Sequence, residues 1–435
     1  MVRIVMILML AVMLATPAYA EWKLTEFMIY GSWPWDRNVD DDARAKTLAE
    51  AGINVVLADE HQLDVCRNNG LKAIVEGVKP EEVHRISGHP ALWGYYIMDE
   101  PLHNFPALAK IYNAYLDADP TKPGFINLIS LGGEYLTSYM ETVKPNILSY
   151  DYYQWWWGRD GHFTKLEIYS KAAKDAGVPF FLYTEVKCNP YGLFGGQKNT
   201  RPPDNEQRLR QTVFTSLAYG LKGILWFTAR GMLKSGTAEL NECGKDVAAI
   251  NAELKVLGPT LVKLHPVDVY HTAPLPRGVR EVPEDYWLQP TSYISYGVVQ
   301  GTFKDDEGID YVMLSNKNHD IEMLVALEIA RNCPVESVER LDKKTGEWIP
   351  VKVTEMVSED NRSKFSLAYD MHMYSSRTGG NTITYKDIRD KWHVYIEGRQ
   401  FVEIELDKGD GELLRINRDN RFETIRQQKA PSEKF

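Results

Sequence analysis

Two adjacent acids, Asp99 and Glu100, close the apolar stretch LWGYYIM at residues 92–98, and Pro101 follows them. Carboxyl groups at the tip of a strand can do acid–base or nucleophilic chemistry, because one can give a proton while another accepts one or attacks. Pro101 has no N–H to offer a ladder, so it stops the strand. It also disfavours helical angles at Glu100, which is expected to be extended. A carboxylate at such a tip is costly unless it is hydrogen-bonded or used. Acids and aromatics recur at the ends of other apolar runs: Trp33, Trp35 and Asp36; Asp59 and Glu60; Glu76; Asp151, Tyr152, Tyr153 and Trp155–Trp157; Glu185; and Trp226. Glycoside hydrolysis uses this inventory: one carboxyl protonates the leaving oxygen and a second attacks the sugar carbon or activates water. Aromatic faces then hold the apolar side of the sugar. Asp99, Trp33, Trp35, Asp151, Tyr153, Trp155 and Trp226 are therefore candidate contacts to a carbohydrate substrate, and Asp151 is a candidate second base for an inverting reaction. Phosphoryl transfer would need a phosphate cradle and metal ligands, which do not occur. CxxC and HExxH spacings are also missing, so neither a metal nor a cofactor is expected.

These residues need a frame that brings strand ends together. From Phe27 to Leu264, short apolar runs alternate with helical patterns. The strand candidates are Phe27–Tyr30, Ile53–Ala58, Lys72–Glu76, Leu92–Met98, Gly124–Ile129, Asn146–Tyr152, Pro179–Thr184 and Gly223–Phe227. None alternates cleanly, as befits strands buried on both faces. The helical patterns are Asp40–Ala51 with Gly52 as its C′ residue, Gln62–Asn68, Pro80–Ile86, Phe105–Asp117, Phe163–Ala176, Asn205–Tyr219, and Asp246–Leu257, which Gly258-Pro259 should stop. Alternating units over about 240 residues fit a (β/α)8 TIM barrel, whose acids and aromatics would share one mouth. A doubly wound sheet would show a glycine-rich loop after its first strand, whereas this strand runs into Gly31-Ser32-Trp33-Pro34-Trp35. After Pro266 helical periodicity ends and β-rich runs follow, at Ser295–Phe303, Asp310–Asn316, Met323–Ile329, Val335–Asp342, Trp348–Val353, Trp392–Ile396 and Phe401–Leu406. The expected organisation is a leader at 1–20, a barrel at 21–265, an all-β sandwich at 266–420 and a charged, frayed tail at 421–435.

The leader expectation rests on Arg3, the apolar run Ile4–Ala15 and the small-x-small site Ala18-Tyr19-Ala20. Together they predict cleavage before Glu21 and export to the periplasm or the exterior, with no membrane attachment afterwards. A net charge of −10 argues against nucleic-acid binding, which draws on basic patches. Aromatic residues make up 11% of the 435, with 11 Trp and 24 Tyr, a supply that suits sugar recognition as well as a large core. Four cysteines allow three pairings, and Cys188 with Cys243 is the favoured one, since both fall in loops at one end of the barrel. The histidines, including His61, His103 and His162, read as polar loop residues.

By strand number, Glu100 ends the fourth strand and Glu185 the seventh. On these positions, and on Gly94–Pro101 (GYYIMDEP), Arg208–Phe227 (RLRQTVFTSLAYGLKGILWF) and Ile250–Leu261 (INAELKVLGPTL), the chain resembles the retaining (β/α)8-barrel glycoside hydrolases, in particular their β-galactosidase-like, family 42-like branch. The resemblance covers residues 27–264. It implies Glu100 as acid/base and Glu185 as nucleophile in a double-displacement reaction. The chain departs from the pattern at Asp99, where that clan carries an Asn that contacts the sugar 2-hydroxyl. The competing expectation is a non-catalytic carbohydrate-binding protein on the same barrel. A polysaccharide lyase ranks last, because an acidic mouth repels uronates.

Overall fold

The computed structural model describes residues 22–157, 159–188, 201–290, 297–330, 333–355 and 400–418. The expected leader, the tail from Arg421 and the strand at Trp392–Ile396 lie outside the described residues. Eight parallel strands close into a barrel: β1 (Met28–Gly31), β2 (Val55–Ala58), β3 (Lys72–Val75), β4 (Leu92–Asp99), β5 (Gly124–Ile129), β6 (Leu148–Asp151), β7 (Phe180–Glu185) and β8 (Gly223–Phe227). Strand β8 pairs with β1 through Ile29 opposite Ile224 and Gly31 opposite Trp226, which completes the ring.

The helices α1 (Asp41–Glu50), α2 (Leu63–Asn68), α3 (Phe105–Ala118), α4 (Gly133–Val143), α5 (Gln154–Trp157), α6 (Arg159–Ala176), α7 (Asn205–Ala218) and α8 (Glu242–Leu261) surround it, with only a 3-10 turn at Pro80–Arg85 after β3. Asp40 caps α1 by accepting from the Ala43 N–H. Gly52 ends α1 at φ +88, where a Cβ would come within 2.6 Å of the Asn251 side chain. Helix α4 has no strong stop or start in the sequence and was not foreseen. Helix α8 corrects another expectation, since it runs through Gly258-Pro259 to Leu261. The proline sits two residues before the helix end, so it forfeits one ladder bond in the last turn, and Gly258 gives Phe27 room to pack closely.

A second, all-β unit follows. One sheet holds β9 (His265–His271), β11 (Val298–Lys304), β12 (Asp310–Asn316), β14 (Val335–Leu341), β15 (Trp348–Val351) and β18 (Gly411–Arg418). The other holds β10 (Leu288–Pro290), β13 (Met323–Ile329), β16 (Val353–Glu355) and β17 (Gln400–Leu406). Val298, Val312, Leu314, Val325, Leu327 and Leu414 form a core between the sheets. The outer face of the larger sheet lies against α7, so tightly that a Cβ on Gly301 would meet the Ala218 carbonyl oxygen at 1.9 Å. Every residue of α7 from Gln211 to Ala218 is buried.

The four cysteines are free thiols, which corrects the expected Cys188–Cys243 bridge. The Cys188 sulfur instead lies 4.0 Å from the Asn205 carbonyl at the start of α7. No helix among the described residues is long and apolar enough to cross a membrane.

Candidate active site

Strand parity decides which side chains enter the barrel. Met28, Tyr30, Val55, Leu57, Ile74, Phe125, Phe181, Tyr183 and Leu225 form one interior cluster, while their neighbours in sequence pack outward against the helices. The next inward positions toward the C-terminal ends are polar: Asn127 on β5, Ser149 and Asp151 on β6, and Glu185 on β7. Ser149 donates to Asn127 Oδ1 at 3.1 Å, and Asn127 Nδ2 donates to Asp99 Oδ1 at 3.2 Å. The Tyr96 hydroxyl faces the same Asp99, and the Tyr30 hydroxyl lies against that of Tyr183. Sequence reasoning missed Asn127, Tyr30, Tyr96 and Tyr183. The i, i+2 rule along each strand was the signal that could have found them.

Asp99 and Glu100 are exposed at the mouth. Glu100 is not extended, as expected from Pro101, but left-handed with φ +43. Such a conformation costs a non-glycine residue on the order of 1–3 kcal/mol and persists where the surroundings impose it. Here the Glu100 N–H is pinned to the Asn127 carbonyl at 2.9 Å. The turn leaves the Glu100 carboxyl near enough to Asp151 for its charge to oppose ionisation there. Asp151 is 2% exposed, and no N–H or O–H donor among the described residues reaches its Oδ1. Burial, then the nearby Glu100 carboxyl, then the charge of Asp99 push its pKa up to about 8. The mouth thus sets a buried carboxyl of raised pKa beside the exposed Glu100.

Glu185 has a different setting. It is 0% exposed, Trp155 N–H donates to its Oε1 at 2.8 Å, and Thr184 Oγ1 donates to its Oε2 at 2.7 Å. Burial pushes it up to about 7 against those hydrogen bonds. Both oxygens are engaged, and the residue ties the loop after β6 to the end of β7.

The aromatic candidates divide. Trp33, Trp156 and Phe227 are half-buried, and Tyr153 joins them, its ring centroid 4.8 Å from Trp156 and 5.2 Å from Phe227. Trp33 lies edge-on to Phe227 at 5.8 Å. This group makes an aromatic wall beside the carboxyls. Trp35 is half-buried, with its indole N–H held by the Leu57 carbonyl at 2.7 Å. Trp226 and Trp155 correct the expectation of sugar platforms. Trp226 sits at an outward position, 0% exposed, with Nε1 donating to Asn251 Oδ1 of α8 at 2.9 Å. Trp155 is buried against α7, with Nε1 donating to the Arg208 carbonyl at 3.2 Å and to Thr212 Oγ1 at 3.1 Å. The side chain of Trp157 lies outside the described residues. His162 is a further correction, being fully buried in α6 rather than in a loop.

Asp59, Glu60, His61 and Glu76 line a hollow of about 470 Å³ at the tips of β2 and β3. A hollow of about 1080 Å³ lies at the opposite end of the barrel, lined by Trp22, Lys144, Lys222 and Pro266 and distant from the carboxyls. Asp204, His319 and Asp320 bring ligand-type atoms within 4.8 Å of one another. Arg208 Nε already lies 2.8 Å from Asp204 Oδ2, so that carboxylate has a cationic partner from the chain itself.

The raised Asp151 carries a stability prediction. A carboxyl whose pKa is higher in the folded than in the unfolded chain favours folding fully below its unfolded value, and that contribution fades as pH rises through the folded value. From about pH 4 to about pH 8 the wild type is expected to lose stability relative to Asp151→Asn, by at most ~1.4 kcal/mol per pH unit. His162, pushed down to about 3, works in the opposite sense below its ordinary 6.5. The check is therefore the wild-type-minus-variant difference in urea midpoint across that range, and a flat difference would contradict the buried proton.

No family model matches the chain, and no curated protein matches it. Among solved structures it is similar to an assigned α-galactosidase from Bacteroides fragilis (9% identity, TM-score 0.48, 90% of this chain and 79% of that one). It is also similar to a GH27 β-L-arabinopyranosidase from Geobacillus stearothermophilus (10% identity, TM-score 0.45, 90% and 96%). A third is a GH51 arabinofuranosidase from Xanthomonas axonopodis pv. citri (10% identity, TM-score 0.41, 86% and 89%).

Proposed function

We propose that the protein is an exported glycoside hydrolase that cleaves O-glycosidic bonds of oligo- or polysaccharides with retention of configuration. The observation that carries this reading is the pairing of buried Asp151, whose Oδ1 meets no donor among the described residues, with exposed Glu100 at the mouth of the barrel. Asp151 has the proton that a leaving glycosidic oxygen needs at neutral pH, and Glu100 is the carboxylate that can reach an anomeric carbon. In the first step Glu100 attacks that carbon and Asp151 protonates the departing oxygen. In the second, Asp151 takes a proton from water, which attacks the glycosyl–Glu100 ester and frees the sugar. Inverting pairs stand about 6.5–9.5 Å apart to admit a water, and retaining pairs about 5–5.5 Å. Asp151 and Glu100, near enough for one to feel the other's charge, are read as a pair of the closer kind. The wall of Trp33, Tyr153, Trp156 and Phe227 offers faces to the sugar ring. The leader-like run Ile4–Ala15 with Ala18-Tyr19-Ala20 supports export.

These roles differ from those the resemblance implied, in which Glu100 is the acid/base and Glu185 the nucleophile. The engagement of both Glu185 oxygens favours Asp151, whose Oδ1 meets no donor among the described residues, as the second carboxyl.

The test is hydrolysis of a panel of aryl and natural glycosides, with NMR of the first anomer released. Retention is expected, with Glu100→Gln lowering kcat about 10³-fold or more. Inversion would overturn the paired-carboxyl mechanism. Sugar binding that survives Glu100→Gln, with hydrolysis by neither form, would replace it with the carbohydrate-binding reading.

A further inference from the structure

The β-rich unit reaches into the candidate site through one side chain. His319 lies between β12 and β13 and is 3% exposed. Its imidazole edge meets the Trp155 ring at 4.9 Å with an interplanar angle of 74°. Its Nε2 stands 3.4 Å from Asp204 Oδ2 and 3.3 Å from Asp320 Oδ1. Asp204 also holds Arg208, whose guanidinium lies over the Trp155 ring at 4.9 Å. Beside it, Gln211 of α7 donates to the Lys317 carbonyl, two residues before His319.

Trp155 is thus held by α7 and by His319, and it in turn holds the site. Its backbone N–H is the donor to Glu185 Oε1. Its neighbours Tyr153 and Trp156 are the rings of the wall, and Tyr153 is near enough to Asp151, Asp99, Glu185 and Glu100 to feel their charges. A side chain packed this way sets where a four-residue helical turn sits, and displacements of about 1 Å at such a turn are costly in rate.

We propose that His319 is a positioning residue for the reaction, acting through Trp155, so that the β-rich unit completes the active site instead of merely covering the barrel. This rests on the carboxyl-pair reading of the mouth, but one of its two tests does not need activity. In protein labelled with 15N-Trp, the Trp155 backbone amide is assigned by its loss in Trp155→Phe. Its shift is expected to titrate with a midpoint near 7, set by Glu185. Thr184, the Trp155 N–H, Tyr153 and the Cys188 thiol are the polar groups that face Glu185 there.

In His319→Ala the amide resonance is expected to move at every pH and the Glu185 midpoint to rise as its hydrogen bond loosens. In kinetics, kcat should fall on the order of 10- to 100-fold while KM stays within about twofold. His319→Gln keeps an N–H for Asp204 and should restore most of both signals. It also serves if the alanine variant does not fold. Purely structural packing would lower the melting temperature of either variant without moving the amide or the kcat, and that result would overturn the proposal. If the wild type hydrolyses no glycoside, the functional reading fails, while the amide experiment still decides the role of His319.

Discussion

Asp151→Asn is expected to lower kcat on natural glycosides by about 10²–10⁴-fold, the range that a positioned proton donor contributes. Asp151 is almost fully buried at the end of β6, and Glu100 and Asp99 oppose its ionisation from the end of β4. An amide in its place preserves the volume but cannot release a proton to a leaving alkoxide. The loss should therefore depend on the leaving group: an activated aryl glycoside, which departs without protonation, should lose far less in its first step. The alkaline limb of the wild-type pH–rate profile should fall near pH 8, and it should vanish from the residual activity of the variant. If Asp151→Asn kept its activity while Glu185→Gln lost it with both substrate types, Glu185 would be restored as the second catalytic carboxyl.

Trp226→Ala should cost about 3–5 kcal/mol of stability, the usual range for emptying a large aromatic site in a core. Trp226 is 0% exposed, on the face of β8 turned toward α8. Its indole N–H satisfies Asn251 Oδ1, and Asn251 in turn donates to the Ala51 carbonyl at the end of α1. Removing the ring leaves both a cavity and an unpaired buried oxygen. Urea unfolding measures the loss. A sugar platform would behave in the opposite way, with KM raised and the unfolding midpoint unmoved.

The barrel was legible because strands buried on both faces leave a plain mark. All eight strand segments lie within about two residues of their expected ends, and Gly52 closes α1 at the positive φ that its position required. What the sequence hid depends on neighbours far along the chain. Pro259 looks like a stop, but a proline in the last turn of α8 forfeits little. Trp226 and Trp155 looked like platforms because they stand near the mouth, yet parity turns the first outward and α7 claims the second. Glu100 was placed correctly at a strand tip, while its left-handed turn toward Asp151 needed the Asn127 carbonyl on the adjacent strand. Glu185 stood at the expected strand end, but only the fold shows that its charge faces the loop after β6.

The way α7 is enclosed bears on how this chain could be recombined. From Gln211 to Ala218 no residue of that helix reaches solvent, and Gly301 on the neighbouring sheet approaches it backbone to backbone. A barrel excised after Leu264 would present an uncovered helix face with Phe214 and Ala218 on it, a surface prone to self-association. Grafting a foreign accessory module would meet the same difficulty, since few sheets have a glycine at the one point where the helix backbone presses in. The close fit of α7 on Gly301 thus makes the barrel and the β-rich unit one packing problem for any recombination.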